Sequence, residues 1–217
     1  MGHHVRKNLI YYIYFDGVVN DYHRLNLALL NKYWHLFDGH KIIKVSVNDM
    51  SIDLDPLFNL MPELQFWIEL VQNNQMGEAV HSYDSLNQVD SGVTFYAHCK
   101  GVSRPHMNGL VTWINKLYDE NLSKEPNLNG KLFAGICAKL LDCSPYVPYD
   151  FHYSGSFYWF DTAKVKERLK DFELNKYFTE CFPAIVANMS ECQFNYHYTF
   201  HNVNYYLEET WQSLDLK

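Results

Sequence analysis

Two residues that could bind an anion, His98 and Lys100, stand at the end of the segment 92–101, GVTFYAHCKG. Aromatic and β-branched residues alternate through this segment up to a closing glycine, which predicts a strand that leads into a loop. The two residues are two positions apart, so in an extended backbone both side chains leave on the same face. Open α/β sheets bind ligands at the carboxyl ends of their strands. The pattern therefore predicts either an anion site or a solvated surface pair.

A second cluster of ligand-type side chains lies in the segment 152–159, HYSGSFYW. It combines His152, Ser154 and Gly155 with several aromatic residues, and a glycine lets the backbone approach a ligand closely. Tyrosine and tryptophan both stack on sugars and form hydrogen bonds to hydroxyl groups. The aromatic residues alternate between two faces of the predicted strand, so we expect about half of them in the core and the others in a platform for a sugar.

Together the two segments resemble a known family. The pattern H-x-K-G followed by H-(F/Y)-S-G-x-(F/Y)-(W/Y)-W is similar to small glycosyltransferases of chlorella viruses and bacterial polysaccharide clusters, which have the GT-A fold. The resemblance implies a single α/β domain over residues 1–217, with a central, mostly parallel mixed sheet flanked by helices. This chain has Cys99, Ser156 and Tyr158 where the family usually has threonine, asparagine and tryptophan.

The resemblance also implies an activity, which is glycan biosynthesis by transfer of glucose or a deoxysugar such as rhamnose from a UDP-sugar to a glycan or glycoprotein acceptor. Such transfer needs cationic groups beside the departing diphosphate. His98, Lys100 and His152 are the candidates, because all three lie at predicted strand ends, with Ser154 and Gly155 close enough to meet phosphate or sugar. As in most enzymes of this fold, we expect Mn²⁺ or Mg²⁺ to share this task, with His98 as a ligand.

Whether the anomeric configuration is inverted or retained depends on a carboxylate behind the anomeric carbon. Asp150 and Asp161 are candidates for it, although Asp161 is also placed to cap the helix predicted over 163–170. The choice between the two outcomes stays open. The rival function is a non-catalytic carbohydrate- or nucleotide-binding module with the same fold, favoured by the lack of a D-x-D triplet at the expected place.

The first third of the chain predicts a βαβ unit. The apolar segments 8–15 and 41–47 have the pattern of strands buried on both faces, and Asn20 is positioned to cap a helix between them. The loop after the first strand then lies at the ligand edge of the sheet. Phe15 and Asp16 therefore either contact a nucleotide or belong to an ordinary turn.

Further candidates stand around the next predicted elements, a strand over 64–71 and a helix over 77–87. Asn73 and Glu78 either bind a ribose or have a structural role, which for Glu78 is the stabilisation of the helix dipole. Tyr96 is a candidate because, in the fold that the resemblance implies, the metal-binding triplet follows the strand that here ends in Tyr96-Ala97-His98. The triplet Asp53-Leu54-Asp55 has the D-x-D form, but its place favours a turn into a short helix.

Three predictions concern the rest of the chain. Ser103-Arg104-Pro105 predicts the start of a helix with a buried apolar stripe that extends to Tyr118. The segment 132–141 predicts a strand or a buried segment. The segment 194–200 alternates like a strand, whereas a helix there would bring His197 and His201 together as metal ligands.

Composition excludes several classes of protein. The 217 residues include 18 basic and 25 acidic side chains, for a net charge of -7, and the basic residues are scattered, so nucleic acid and anionic membranes are unlikely partners. No apolar run reaches the roughly 20 residues that span a bilayer, and the first residues do not have the pattern of a signal peptide. We therefore expect a cytoplasmic protein, in the host cytoplasm for a viral origin. The 5 cysteines form no CxxC pair, which predicts reduced thiols.

Overall fold

The computed structural model describes residues 4–74, 76–104, 106–124, 126, 128–140, 151–169, 178–194 and 205–215. The elements in these ranges are, in order, β1 (Lys7–Tyr14), α1 (Asp21–Tyr33), β2 (Lys41–Val47), α2 (Asp55–Phe58), β3 (Ile68–Gln72), α3 (Gly77–Asn87), β4 (Val93–His98), α4 (Asn108–Leu122), β5 (Phe133–Gly135), β6 (Ala138–Leu140), β7 (Phe151–Tyr153), β8 (Tyr158–Asp161), α5 (Thr162–Arg168), α6 (Phe178–Val186), β9 (Cys192–Phe194) and α7 (Glu208–Asp215). None of the helices in these ranges has the length and apolar character needed to cross a bilayer.

The strands of the described ranges form a seven-stranded sheet in the order β3-β2-β1-β4-β8-β5-β9, and β6 pairs with β7 separately. β1 is parallel to β2 and β4, and β2 is parallel to β3, whereas β8 runs antiparallel to β4 and β5. The predicted α/β class with a mostly parallel mixed sheet is therefore confirmed. The parallel strands β1 to β4 all end at the same edge of the sheet, where ligand sites of open α/β sheets lie.

Helices cover both faces of this sheet. Along β1, Leu9, Tyr11 and Ile13 pack into one buried cluster with residues of α1 and α4, while Ile10 packs into a second cluster with residues of α3, α5 and α6. A strand with apolar neighbours on both faces has a continuous apolar sequence rather than an alternating one. This explains why the pattern at 8–15 predicted β1 correctly.

The predicted cap of α1 is also confirmed. The Asn20 side-chain oxygen accepts hydrogen bonds from the backbone N–H groups of Tyr22, at 3.0 Å, and His23, at 3.1 Å. These N–H groups have no partner within the helix, so the cap stabilises its first turn. α1 and β2 then complete the predicted βαβ unit.

Two element boundaries differ from the prediction. The strand expected over 64–71 begins only at Ile68, because Pro62–Phe66 forms a 3-10 helix with proline in its first turn, a position that suits proline. Residues 101–104 form a turn rather than the start of a helix, since the N–H of Arg104 donates to the carbonyl of Gly101 at 2.8 Å. α4 begins at Asn108, after the extended residue Met107.

The aromatic segment after residue 150 folds into two strands around a tight turn. Gly155 and Ser156 have positive φ angles of 96° and 57°, and the N–H of Ser156 donates to the carbonyl of Tyr153 at 3.0 Å. The aromatic side chains of this segment are all buried, with exposed fractions of 0% for Tyr153 and Phe157, 1% for Tyr158 and 2% for Trp159. The predicted aromatic platform for a sugar is therefore wrong for these four residues, which belong to the core.

The remaining predictions agree in part. The segment 132–141 contains two short strands, β5 and β6, and Cys137 between them has a positive φ of 57°. Phe194 ends β9, while residues 195–200, and with them His197, lie outside the described residues, as do His201 and Asp150.

Candidate functional site

A cleft of about 450 Å³ opens at the edge where the parallel strands end. Tyr14 at the end of β1, Asn73 directly after β3 and His98 at the end of β4 line it. Further walls come from the first turn of α3, the loop 99–104, Ser156 and Tyr206. The sequence-based prediction that Asn73, Glu78, His98 and Lys100 share one site agrees with this geometry.

Glu78 and His98, which both line the cleft, bond to each other. The Nδ1 atom of His98 is 2.8 Å from Oε1 of Glu78, and the hydroxyl of Tyr96 donates to the same oxygen at 2.6 Å. Ser82 in turn donates to the Tyr96 hydroxyl at 3.0 Å. Glu78 therefore holds the ring of His98 in one orientation, and Nε2 is the ring nitrogen left for a ligand.

Glu78 is a carboxylate over the whole neutral range. Burial raises its pKa, but the charge of His98, the hydrogen bonds from His98 and Tyr96 and the charge of Lys100 together lower the pKa to about 2. Its side chain remains 29% exposed. The position at the start of α3 adds the favourable field of the helix N-terminus. Sequence alone predicted this helix-terminal role, but not the pairing with His98.

Lys100 is held at two points. Its ammonium lies 4.3 Å from the centroid of the Trp113 ring, a cation–π contact. Its backbone is fixed by Asn26 of α1, which accepts from the N–H of Lys100 at 3.1 Å and donates to its carbonyl at 2.9 Å. Asn26 is fully buried, so both hydrogen bonds are shielded from water.

Further hydrogen bonds join Val102 and Met107, after Lys100, to the start of α1. The Asn20 amide donates to the carbonyl of Val102 at 2.7 Å, and the Tyr22 hydroxyl accepts from the N–H of Met107 at 2.8 Å. Gly101 has a φ of 88°, and a Cβ there would lie 2.8 Å from Leu110, so only glycine fits without rearrangement. The H-x-K-G loop is therefore preorganised.

Two residues of the cleft lining, Asn73 and Tyr14, belong to a chain of hydrogen-bonding side chains. Ser46 donates to Asn73 at 3.3 Å, Asn73 donates to Asn48 at 3.0 Å, and Asn48 donates to the Tyr14 hydroxyl at 3.1 Å. Near them, burial raises the pKa of Tyr12 to about 12, so its hydroxyl keeps its proton. These groups can both donate to and accept from a polar ring or a ribose.

Two candidates in the loop after β1 do not meet the cleft. Phe15 is fully buried in the core, where its ring makes an edge contact with His23 at 5.8 Å between centroids. The prediction that Phe15 contacts a nucleotide is therefore wrong. Asp16 is exposed, its carboxylate accepts from the N–H of Val18 at 3.2 Å, and it is not among the described residues that line the cleft. The structure of this loop therefore agrees with the alternative interpretation of Phe15 and Asp16, an ordinary turn after β1.

Asp161 lies at the opposite edge of the sheet. It pairs with Val93, the first residue of β4, whereas His98 is the last, so about 17 Å of strand separates the two positions. Its carboxylate accepts from the N–H of Lys164 at 3.2 Å and caps α5. The cap is confirmed, and the role of Asp161 as a catalytic carboxylate is wrong for this geometric reason.

The turn 154–156 reaches the cleft through Ser156, which was not a candidate. Ser154 is buried, and its hydroxyl lies 3.1 Å from Nε2 of His152, so these two residues bond to each other. Gly155 packs against α4, because a Cβ there would come within 2.9 Å of Leu117. His152, Ser154 and Gly155 are absent from the described lining of the cleft, which corrects their assignment to donor binding.

A divalent cation needs several oxygen or nitrogen ligands that converge on one point. In the ranges that the structure describes, no group of three or more histidine, cysteine, aspartate or glutamate side chains converges in this way. Among the described residues that line the cleft, Glu78 and His98 are of this type, and they bond to each other. Asp53 accepts from the N–H of Asp55 at 2.9 Å at the start of α2, as the predicted turn requires.

Sequence reasoning missed Arg104, Tyr14, Ser156, Tyr206 and the buried Asn26. Asn26 stands four positions after Tyr22 on the buried face of α1, and a polar residue on such a face signals a specific partner. Tyr14 shares a strand face with Tyr12, which the period of two makes visible in the sequence. Nothing local marks Tyr206 or Ser156, since distant parts of the chain bring them to the cleft.

No protein-family model and no curated sequence matches this chain. Among solved structures, it is similar to a 4-diphosphocytidyl-2C-methyl-D-erythritol synthase, at 9% identity and a TM-score of 0.45, over 99% of both chains. It is also similar to a cytidylyltransferase from Leptospira borgpetersenii, at 9% identity and a TM-score of 0.45, over 94% of this chain and 79% of that one.

A third similar structure is glucosyl-3-phosphoglycerate synthase from Mycobacterium tuberculosis, in complex with Mn²⁺, UDP and glucosyl-3-phosphoglycerate. It matches at 11% identity and a TM-score of 0.43, over 88% of this chain and 69% of that one. At these identities and TM-scores, the likenesses do not assign a substrate or a reaction to this chain.

Proposed function

We propose that this protein is a glycosyltransferase that moves a sugar from a UDP-sugar to a glycan acceptor. The proposal depends on one observation. A single cleft holds Lys100 and His98 together with the hydrogen-bonding side chains of Asn73 and Tyr14. A nucleotide diphosphate has two matching parts, an anionic diphosphate and a polar nucleoside. The resemblance of the H-x-K-G and H-Y-S-G segments to GT-A glycosyltransferases supports the same function.

The reaction breaks the bond between the anomeric carbon and a diphosphate oxygen, and it forms a bond from that carbon to an acceptor hydroxyl oxygen. Negative charge grows on the departing diphosphate, so a cation already in place lowers the barrier. Lys100 meets this requirement, because Asn26 fixes its backbone and Trp113 supports its ammonium. Glu78 orients His98, whose Nε2 can then donate to a phosphate oxygen when the ring is protonated.

A divalent cation, Mn²⁺ or Mg²⁺, belongs to the same proposal, because when bound it would offset the negative charge of the diphosphate. The described residues do not supply its ligand set, since Nε2 of His98 would be one ligand and no group of three or more His, Cys, Asp or Glu side chains converges in these ranges. We therefore assign no step of the reaction to the ion. Binding of UDP with and without EDTA measures its contribution.

Donor hydrolysis without an acceptor tests the function. The protein is incubated with a panel of UDP-, GDP- and CMP-linked sugars and Mn²⁺, and the released nucleotide is measured. We expect slow release of UDP from one UDP-sugar. Lys100→Ala should lower this rate at least tenfold and weaken UDP-sugar binding less, because its contact strengthens as the diphosphate departs. Lys124→Ala, which removes an exposed lysine after α4, is the matched control.

Two results would contradict the proposal. Saturable binding to glycans without hydrolysis of any donor would instead identify a carbohydrate-binding module. Wild-type turnover in Lys100→Ala, with unchanged thermal melting, would place the active site elsewhere. Melting curves for both lysine variants show whether each has kept its fold.

A further inference from the structure

Two cationic side chains, Lys100 and Arg104, line the cleft in the described part of the chain. Of the other ionisable residues in that lining, Glu78 and His98 bond to each other at 2.8 Å. Cationic side chains in a cleft favour an anionic ligand.

The two cations come from one short loop. Gly101 and Arg104 are the ends of a turn closed by a hydrogen bond of 2.8 Å, which holds their Cα atoms within about 7 Å of each other. Lys100 directly precedes this turn. Asn26 and Asn20 fix the loop backbone on either side of Gly101. The two cations are therefore carried at neighbouring places on a backbone that does not need to be ordered by a ligand.

Arg104 differs from the other charged residues of the cleft in its surroundings. It is exposed, and within the described ranges its guanidinium has no hydrogen-bond or ion-pair partner. An arginine presents several N–H groups in a planar fork that matches two phosphate oxygens, whereas a lysine acts as a compact point charge. The two residues thus suit two adjacent anionic groups.

We propose that Arg104 and Lys100 form a two-cation clamp that distinguishes a nucleoside diphosphate from a monophosphate. This proposal rests on the proposed function and identifies Arg104 as the second diphosphate-binding residue. A diphosphate spans both cations, while a single phosphate group engages one of them. Arg104 is then a specificity-determining residue of the donor site.

The test is calorimetry in EDTA with UDP, UMP, pyrophosphate and inorganic phosphate as the ligands. Arg104→Ala should weaken UDP and pyrophosphate at least tenfold, and UMP and phosphate less than threefold, because a charge-assisted contact is lost only where a second phosphate is present. Arg104→Lys should recover part of the loss. Arg24→Ala, an exposed arginine on α1, is the control and should bind like the wild type.

The outcomes separate this proposal from the proposed function. If the wild type binds UDP and Arg104→Ala binds it within twofold, the clamp is overturned while the nucleotide site stands. Equal losses for UDP and UMP also overturn it, because Arg104 would then bind a single phosphate. If the wild type binds UDP through Arg104 but releases UDP from none of the UDP-sugars, the clamp stands and the proposed transferase function falls. Binding of neither UDP nor pyrophosphate by the wild type overturns both.

Discussion

Replacing Glu78 by glutamine tests the electrostatics of the cleft. Glutamine keeps the size of the side chain and one oxygen that can accept from Tyr96 or His98, but it removes the charge. The pKa of Glu78 is lowered from 4.5 to about 2 in the folded protein. At about 1.4 kcal/mol for each pKa unit, this difference corresponds to about 3 kcal/mol of unfolding free energy.

Solvent reduces this value, because the Glu78 side chain is 29% exposed. We therefore expect Glu78→Gln to lower the free energy of unfolding by about 2 kcal/mol at pH 7. The pKa of Glu78 is lower in the folded state than in the unfolded state, so the carboxylate stabilises the fold above about pH 4.5. This stabilisation is lost as the pH falls from about 4.5 towards 2, and the wild type and the variant should converge there.

Urea unfolding followed by circular dichroism at pH 7, 5, 4 and 3, in EDTA, measures the loss of stability at pH 7 and its dependence on pH. Glu167→Gln, an exposed carboxylate on α5, serves as the control and should change stability by less than about 0.5 kcal/mol. A difference between the wild type and Glu78→Gln that stays constant from pH 7 to pH 3 would refute the electrostatic explanation. It would mean that the loss comes from packing or hydrogen-bond geometry instead.

Two further predictions concern the loop and the opposite edge of the sheet. Gly101→Ala should cost about 1 kcal/mol more in urea unfolding than Gly130→Ala, because both glycines have a positive φ but only the Cβ at 101 would lie 2.8 Å from a methyl group of Leu110, which would have to shift; equal costs would contradict the close approach. Asp161→Ala should cost about 1 kcal/mol through loss of the α5 cap and leave UDP affinity unchanged; weaker UDP binding with unchanged stability would restore Asp161 as a site residue.

The elements that sequence predicted well are those that local patterns determine. β2 and α3 have the predicted bounds, and β1 and β4 agree within a residue or two, because the apolar pattern of buried strands and helices lies in consecutive residues. The start of α4 was wrong for the opposite reason. Pro105 suggested a helix start, but Asn20 and Tyr22, more than eighty positions earlier, bond to the backbone of Val102 and Met107, and residues 101–104 form a turn instead.

The distinction between local sequence patterns and contacts of distant residues also applies to the candidate site. Lys100, His98, Asn73 and Glu78 line one cleft, as predicted, because the ends of parallel strands meet at one edge of the sheet. The partner of Glu78 could not be predicted in the same way. Glu78 and His98 are 20 positions apart in the chain, and their contact depends on the packing of α3 against the end of β4. The prediction of a ligand contact for Phe15 was wrong for a similar reason. Whether this side chain is buried in the core depends on packing that the local sequence does not show.

The structure shows the surroundings of the three residues that differ from the family pattern, Cys99, Ser156 and Tyr158. Tyr158 is buried away from the cleft, so its difference from tryptophan concerns the core. Cys99 lines the cleft but is almost fully buried; burial raises the pKa of its thiol, and it bonds to Tyr11. Ser156 has a φ of 57°, a conformation that asparagine adopts more readily than serine. Backbone preference therefore does not explain the serine, whereas its shorter side chain leaves more room in the cleft for a ligand.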